Sequence, residues 1–230
     1  MSDGVTAMQP SAEPPICFRQ LGPSDKDAVA RLAAAAFYGN SFYETAMGLD
    51  PRRFDLYWDA FFDLSLGDPG AAVFGLELNG ELQAATAVAF DGFPKTARAV
   101  RYLWTLYRRL GANALISYLR FVRAYERAIS RPAPERRIEA RGLWLFARPG
   151  ARKAGLGSQL VKYTIEAVRA RGKGVLTGFF DASNRPLDRF YRRLGFAVTS
   201  PFPFAGMQAA CIELWLEQMK AGDDVESDAA

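Results

Sequence analysis

The sequence predicts an α+β fold in which about seven strands are flanked by helices. Three observations carry that prediction. AAVFGLEL and ELQAATAVAF are two apolar runs joined by Asn79-Gly80, the pairing expected of a hairpin with a tight primed turn. LWLFARPGARKAGLGSQL, Leu143 to Leu160, reads as a strand, a glycine turn and the start of an amphipathic helix. FAVTSP and GMQAACIELWLE close the chain as two further strands.

The remaining elements follow in order. ICFRQL, Ile16 to Leu21, is a first strand. Ser24 and Asp27 are spaced for a capping-box start to a helix through AVARLAAAAF. Asp50-Pro51 is an N-cap and first-turn pair for a second helix, with Phe54, Tyr57, Phe61 and Leu64 at three- and four-residue steps. GDPG, Gly67 to Gly70, ends it. From Lys95 to Arg131 the pattern is helical, broken at Gly111, with Leu115, Tyr118, Leu119, Val122, Tyr125 and Ile129 on one face. ARGLWLFARP is a strand ending at Pro149, and a helix runs from about Gly157 to Arg171, with Gly172 as its C-cap. VLTGFFDA is a strand, and Asn184 caps a short helix to Leu194.

Composition narrows the chemistry. The 230 residues are 50% hydrophobic and 23% charged, which suits one compact domain over residues 16–220. Residues 1–15 read as a disordered leader and 221–230 as a disordered acidic tail. No run approaches the length of a membrane span, so the cytoplasm is the expected location. The chain has no histidine, which removes Ser-His-Asp and Cys-His mechanisms and HExxH zinc sites. Cys17 and Cys211 lack metal-ligand spacing, and no metal is expected. Between Lys95 and Arg137 there are eleven Lys or Arg against two Glu, so the net charge of +4 is concentrated in this segment. It lacks any pattern that reads nucleic acid.

RPGARKAGLGSQL, Arg148 to Leu160, places two glycines after positive charge at a helix start, as an anion-binding turn requires. A Walker A loop would need lysine where Leu156 stands, and a dinucleotide fingerprint would need glycine at Leu160. Arg-x-x-Gly-x-Gly over Arg152, Gly155 and Gly157 remains. With NRPLDRFYRRLGF downstream, where Tyr191 follows Asn184 by seven residues and Gly-Phe follows, the chain resembles the GNAT superfamily of N-acetyltransferases. The resemblance covers Ile16 to Glu217, with a helical insertion at about 96–137 before the central strand.

That resemblance implies a sandwich-like fold on a central mixed, mostly antiparallel sheet, with acetyl-CoA as cosubstrate. Its arm would lie along Leu145, Phe146 and Ala147, and its diphosphate among Arg152, Lys153, Ala154, Gly155, Leu156, Gly157 and Ser158. Asn184 would hold the arm, beside its role as an N-cap. Tyr191 would protonate the leaving thiolate, although its spacing with Leu187, Phe190 and Leu194 equally suits a core tyrosine. The base would be Glu139, whose other reading is a salt bridge with Arg136, Arg137 or Arg141; Glu77 and Glu81 are lesser candidates. On alternation alone, Arg141, Leu143, Leu145 and Ala147 share one side of the strand. Leu145 or Phe146 would offer an N–H to the oxyanion.

The expected acceptor is a primary amine of a small molecule, selected near Tyr38, Phe42 and Tyr43 under a lid made by the insertion. The insertion's arginines either favour an anionic acceptor or form a solvated face, and Trp104, Tyr107 and Tyr118 beside them also suit a membrane surface or acidic partner. The alternatives to a small-molecule enzyme are a protein or peptide N-acetyltransferase and a non-catalytic acyl-CoA sensor. The last strands leave edges on which a homodimer could form.

Overall fold

The computed structural model describes residues 15–40, 44–45, 48, 50–90, 93–94, 96–130, 140–151 and 155–216. Eight strands form one sheet: β1 (Ile16–Gln20), β2 (Ala71–Leu78), β3 (Glu81–Phe90), β4 (Ala140–Ala147), β5 (Val175–Asp181), β6 (Ala197–Val198), β7 (Phe202–Phe204) and β8 (Met207–Trp215). Their order is β1-β2-β3-β4-β5-β8-β6, with β7 also on β8. The β4–β5 pair alone is parallel among these. The sheet is thus mixed and mostly antiparallel, as expected.

Among the described residues, six helices cover it: α1 (Lys26–Phe37), α2 (Phe54–Ser65), α3 (Thr96–Leu110), α4 (Ala112–Ser130), α5 (Leu156–Ala170) and α6 (Arg185–Arg193). One core lies between the sheet and α1 to α4, around Trp58, Phe62, Leu106, Trp144 and Phe146. The other lies under α5 and α6, around Leu160, Val168, Phe180 and Tyr191. Among the described residues no helix is long and apolar enough to cross a membrane.

Turn chemistry places most boundaries. Asn79 and Gly80 take φ of 55° and 75° and close the β2–β3 hairpin. The backbone N–H of Arg52 donates to the Asp50 carboxylate (3.0 Å), so Asp50 caps a 3₁₀ turn over Pro51–Arg53 that leads into α2, rather than α2 itself. Gly111, at φ 88°, separates α3 from α4. The start of α1 differs from expectation. A 3₁₀ turn begins at Pro23, and Asp25 accepts from the Gly22 N–H (2.8 Å), in place of the Ser24–Asp27 box. The chain end also differs. Pro201 and Pro203 lack donors, so the segment before β8 divides into β6 and β7, giving eight strands.

The basic segment packs chiefly through ion pairs and apolar contacts with α2. Arg101 pairs with Asp63 (3.2 Å), Arg109 pairs with Asp59, and Arg98 donates to the Leu64 carbonyl (3.3 Å). These arginines hold α3 against α2, whereas Arg120, Arg123 and Arg127 on α4 are exposed. Trp104 and Tyr107 also face outward, but Tyr118 turns inward against Tyr57 and Tyr102.

Candidate active site

The site begins where the parallel strands part. β4 and β5 pair only at Ala140 with Leu176 and at Arg141 with Thr177. The Thr177 hydroxyl donates to the Ala140 carbonyl (3.3 Å) at this base, and beyond it the strands diverge. Gly142 and Gly178 stand at the fork, where a Cβ on Gly142 would lie 3.4 Å from the Thr177 carbonyl oxygen.

A bulge turns β4 at the same level. Ala87 faces Trp144 and Val88 faces Gly142, so Leu143 is the extra residue. The Thr86 hydroxyl donates to the Trp144 carbonyl (2.9 Å). The bulge overturns the expected alternation. Leu143 packs toward α1 to α4, whereas Leu145 and Ala147 pack toward α5 and α6. A period of two cannot survive an inserted residue. Phe146 is buried on the opposite side from Leu145, so along the fork it can offer only backbone.

The fork holds a cavity of about 330 Å³. Leu145, Phe146, Ala147, Gly157, Asn184 and Tyr191 all line it, so β4, α5, and α6 with its N-cap meet in one space. Gly155 sits at the mouth of α5 with φ 73°, and the helix's first bonds run from the Ser158 and Gln159 N–H groups to its carbonyl. Among the described residues no side chain caps this helix, leaving its positive end for an anion. Leu156 buries its side chain in the core, and only its backbone belongs to the turn. Arg152, Lys153 and Ala154 lie outside the described residues, as do Glu139, Phe42 and Tyr43.

Tyr191 is a packed ring, as a core tyrosine would be, and it also lines the cavity. It stands 5.5 Å from Phe180, 5.2 Å from Phe190 and 5.4 Å from Phe196. Burial pushes its phenol well above the usual range, so it stays protonated at neutral pH. Asn184 accepts from the Leu187 N–H (3.2 Å) as an N-cap while lining the cavity. The hairpin carboxylates are engaged elsewhere. Glu77 pairs with Arg19 (2.6 Å) and Glu81 with Arg148 (2.6 Å), and neither lines the fork.

A second chamber of about 250 Å³ lies between the sheet and α3 and α4. Leu143, Trp144 and Phe179 line both spaces, so the chamber meets the fork through them. Its wall is mostly aromatic and aliphatic, with Glu126 and Arg141 joined to each other at 2.6 Å. Sequence reasoning missed this chamber, although Tyr118, Val122 and Tyr125 recur on one face of α4. Tyr38, an expected pocket wall, is 70% exposed, and neither space includes it.

A family model described as an acetyltransferase (GNAT) domain matches residues 101–198. That match spans the end of the helical insertion, the central strand, the glycine turn and the helix carrying Tyr191. The chain's fold is that of solved acetyltransferases. An agmatine N-acetyltransferase in apo form aligns at TM-score 0.59 and 15% identity, covering 87% of this chain and 99% of that one. The ribosomal-protein-S18-alanine N-acetyltransferase of Escherichia coli aligns at 0.52 and 16%, covering 87% and 94%. An N-acetyltransferase of Staphylococcus aureus Mu50 aligns at 0.53 and 15%, covering 88% and 99%. No curated protein matches the chain. The forked strands and the helix that starts behind Gly155 are thus parts of a fold shared with solved acetyltransferases.

Proposed function

We propose that this protein is an acetyl-CoA-dependent N-acetyltransferase of the GNAT superfamily that passes the acetyl group directly to a primary amine of a small molecule. The observation that carries this reading is the meeting of two spaces at Leu143, Trp144 and Phe179, one shaped for an extended arm and one for a compact acceptor.

The residues fit the cosubstrate. The separated edges of β4 and β5 leave main-chain groups for the arm, and the turn at Gly155 aims amides and the α5 dipole at a diphosphate. When bound, acetyl-CoA supplies an activated acetyl thioester. Successive residues of an extended strand direct their N–H groups to opposite edges, so one of Leu145 and Phe146 presents its donor to the fork. That donor stabilises charge on the carbonyl oxygen. Tyr191 keeps its proton because of burial and gives it to the departing sulfur.

The acceptor nitrogen must be neutral to attack, while a free alkylamine near pKa 10 is mostly charged at neutral pH. An aromatic chamber disfavours the ammonium form and lowers that pKa by desolvation. Glu126, on the chamber wall, is held by Arg141, and Glu139 retains the role expected of it from sequence. A chamber of 250 Å³ roofed by two helices suits a small molecule better than a peptide tail.

Titration calorimetry with acetyl-CoA, paired with thiol release on an amine panel, tests the reading. Saturable binding with acetylation of a small amine is expected. No uptake by folded protein refutes the cosubstrate site; uptake without turnover on amines or peptides supports the sensor instead.

A further inference from the structure

Among the described residues seven large apolar side chains are exposed, and five of them sit on the α3–α4 hairpin. Val100, Trp104 and Tyr107 recur at four- and three-residue steps on α3, and Ile116 and Leu119 lie one turn apart on α4. Trp104 and Tyr107 stand 5.6 Å apart and form one aromatic ridge. The opposite sides of both helices are packed: Tyr102, Leu106 and Leu110 on α3, and Phe121, Tyr125 and Ala128 on α4, are buried. Apolar side chains scattered singly over a surface are ordinary, whereas a cluster marks a contact surface.

The charge on this hairpin is almost all of one sign. Residues 96–130 hold seven arginines and one acidic residue, Glu126, which Arg141 engages. Arg98, Arg101 and Arg109 are bound to α2 and the chain just after it. Arg108, Arg120, Arg123 and Arg127 are exposed, and no ion pair or hydrogen bond joins their guanidinium groups to another described residue. Arg120, Arg123 and Arg127 follow Ile116 by four, seven and eleven residues, which places them on its side of α4.

We propose that the outer face of α3 and α4 docks on an anionic lipid bilayer. Trp and Tyr rings settle at headgroup depth, aliphatic side chains reach below them, and arginines stay with the anionic groups. This face offers all three. A second copy of the chain fits less well, because a two-fold contact would set unpaired arginines against arginines. An acidic protein would answer the charge, but protein partners seat their anchor side chains in fitted pockets. Val100, Trp104, Tyr107 and Ile116 line none of the described cavities and protrude instead. A soft bilayer receives protruding side chains without a matching recess. Leu119 also lines the chamber, so the docked face borders its rim.

The test uses the full chain with phosphatidylcholine vesicles, alone or with about a third phosphatidylserine. Sedimentation should show binding to the mixed vesicles, about tenfold weaker binding to phosphatidylcholine alone, and release at high salt. Arg120→Gln combined with Arg123→Gln should weaken binding to the mixed vesicles on the order of tenfold. Trp104→Ser should weaken it by about the same factor while keeping the salt dependence. All three positions are exposed, so both variants should melt with the parent. Brominated acyl chains should quench tryptophan emission in the parent and lose that effect in Trp104→Ser, since Trp58 and Trp144 are buried. No sedimentation with mixed vesicles, equal binding to both vesicle types, or variants that bind as the parent does overturns the proposal. So does uptake of polyglutamate without uptake of vesicles, which marks an acidic protein partner. Self-association abolished by Trp104→Ser, again without vesicle binding, overturns it in favour of a second copy.

Discussion

The fork between β4 and β5 and the chamber beneath α3 and α4 touch at three residues, yet they are built from different materials. The fork is made largely of backbone: strands that stop pairing after Arg141 and Thr177, a bulge at Leu143, and a glycine turn at Gly155. The chamber is made of side chains, most of them aromatic, from α2, α3, α4 and the sheet. On the proposed function, backbone recognises what every acetyl-CoA molecule shares, whereas side chains choose one acceptor among many. Changes at the fork should therefore act on all acceptors alike, and changes in the chamber should act selectively.

The largest effect should come from Tyr191→Phe. Its ring packing would persist, while loss of the proposed proton donor should lower kcat by about 10²- to 10⁴-fold for every acceptor, with acetyl-CoA affinity unchanged. Stopped-assay kinetics with two unlike amines would show it. Unchanged kcat would return Tyr191 to a purely structural role. Because its phenol is held well above the usual range, the rate should rise with pH from about 6 to about 9 without a falling limb, following deprotonation of the amine.

Gly157→Ala gives a cleaner test of the turn than any change at Gly155. Gly155 has φ 73°, so substitution there would strain the backbone as well as the ligand site. Gly157 has no such constraint, and an added Cβ would meet only Phe190, at 3.8 Å. Alanine is the better helix former by about 1 kcal/mol in a helix interior and by less in a first turn. The variant should melt no lower than the parent, but bind acetyl-CoA on the order of tenfold more weakly if cosubstrate lies against this backbone. Equal affinity by calorimetry would move the diphosphate elsewhere.

The two regions also differ in how far the sequence reveals them. The hairpin at Asn79-Gly80, the break at Gly111, the cap at Asn184 and the turn at Gly155 each depend on neighbours within a few residues. Their chemistry is local, and the chain displays it directly. The bulge at Leu143 is set by pairing with a strand more than fifty residues earlier, and no local pattern marks it. The chamber joins Tyr57, Tyr102, Tyr125 and Phe179, which approach one another only after the sheet forms. Its half-site on α4 was legible as a stripe, but an apolar helix face looks the same whether it meets a core or a cavity.

Filling the chamber should separate the two regions at moderate cost. Val122→Phe extends a lining side chain into open volume, and should raise KM for the acceptor about tenfold while acetyl-CoA binds normally. Matching losses in cosubstrate affinity would mean that the spaces cannot be treated apart.

The smallest effect concerns how the roof is held. Burial pushes the Asp59 carboxyl up, but hydrogen bonds from Arg109 and Lys26 outweigh it, so the group lies below the usual carboxylate range. A carboxyl depressed on folding contributes stability above its unfolded pKa of about 3.9 and loses it as pH falls through the folded value. Arg109 belongs to α3, whereas Asp59 and the apolar face around it belong to α2. Asp59→Asn should therefore loosen α3 from α2 at neutral pH, by roughly 1 kcal/mol or less because the pair is partly solvated. The difference between variant and parent should shrink as pH falls below the ordinary carboxylate range and vanish below the folded carboxyl's own, lower value. Hydrogen exchange in α3 is the measurement of choice: faster exchange there, with α5 unchanged, would mark a roof that opens independently of the fork. Equal protection in both helices would mean that apolar packing by Leu106 and Leu110 holds the roof without the ion pair.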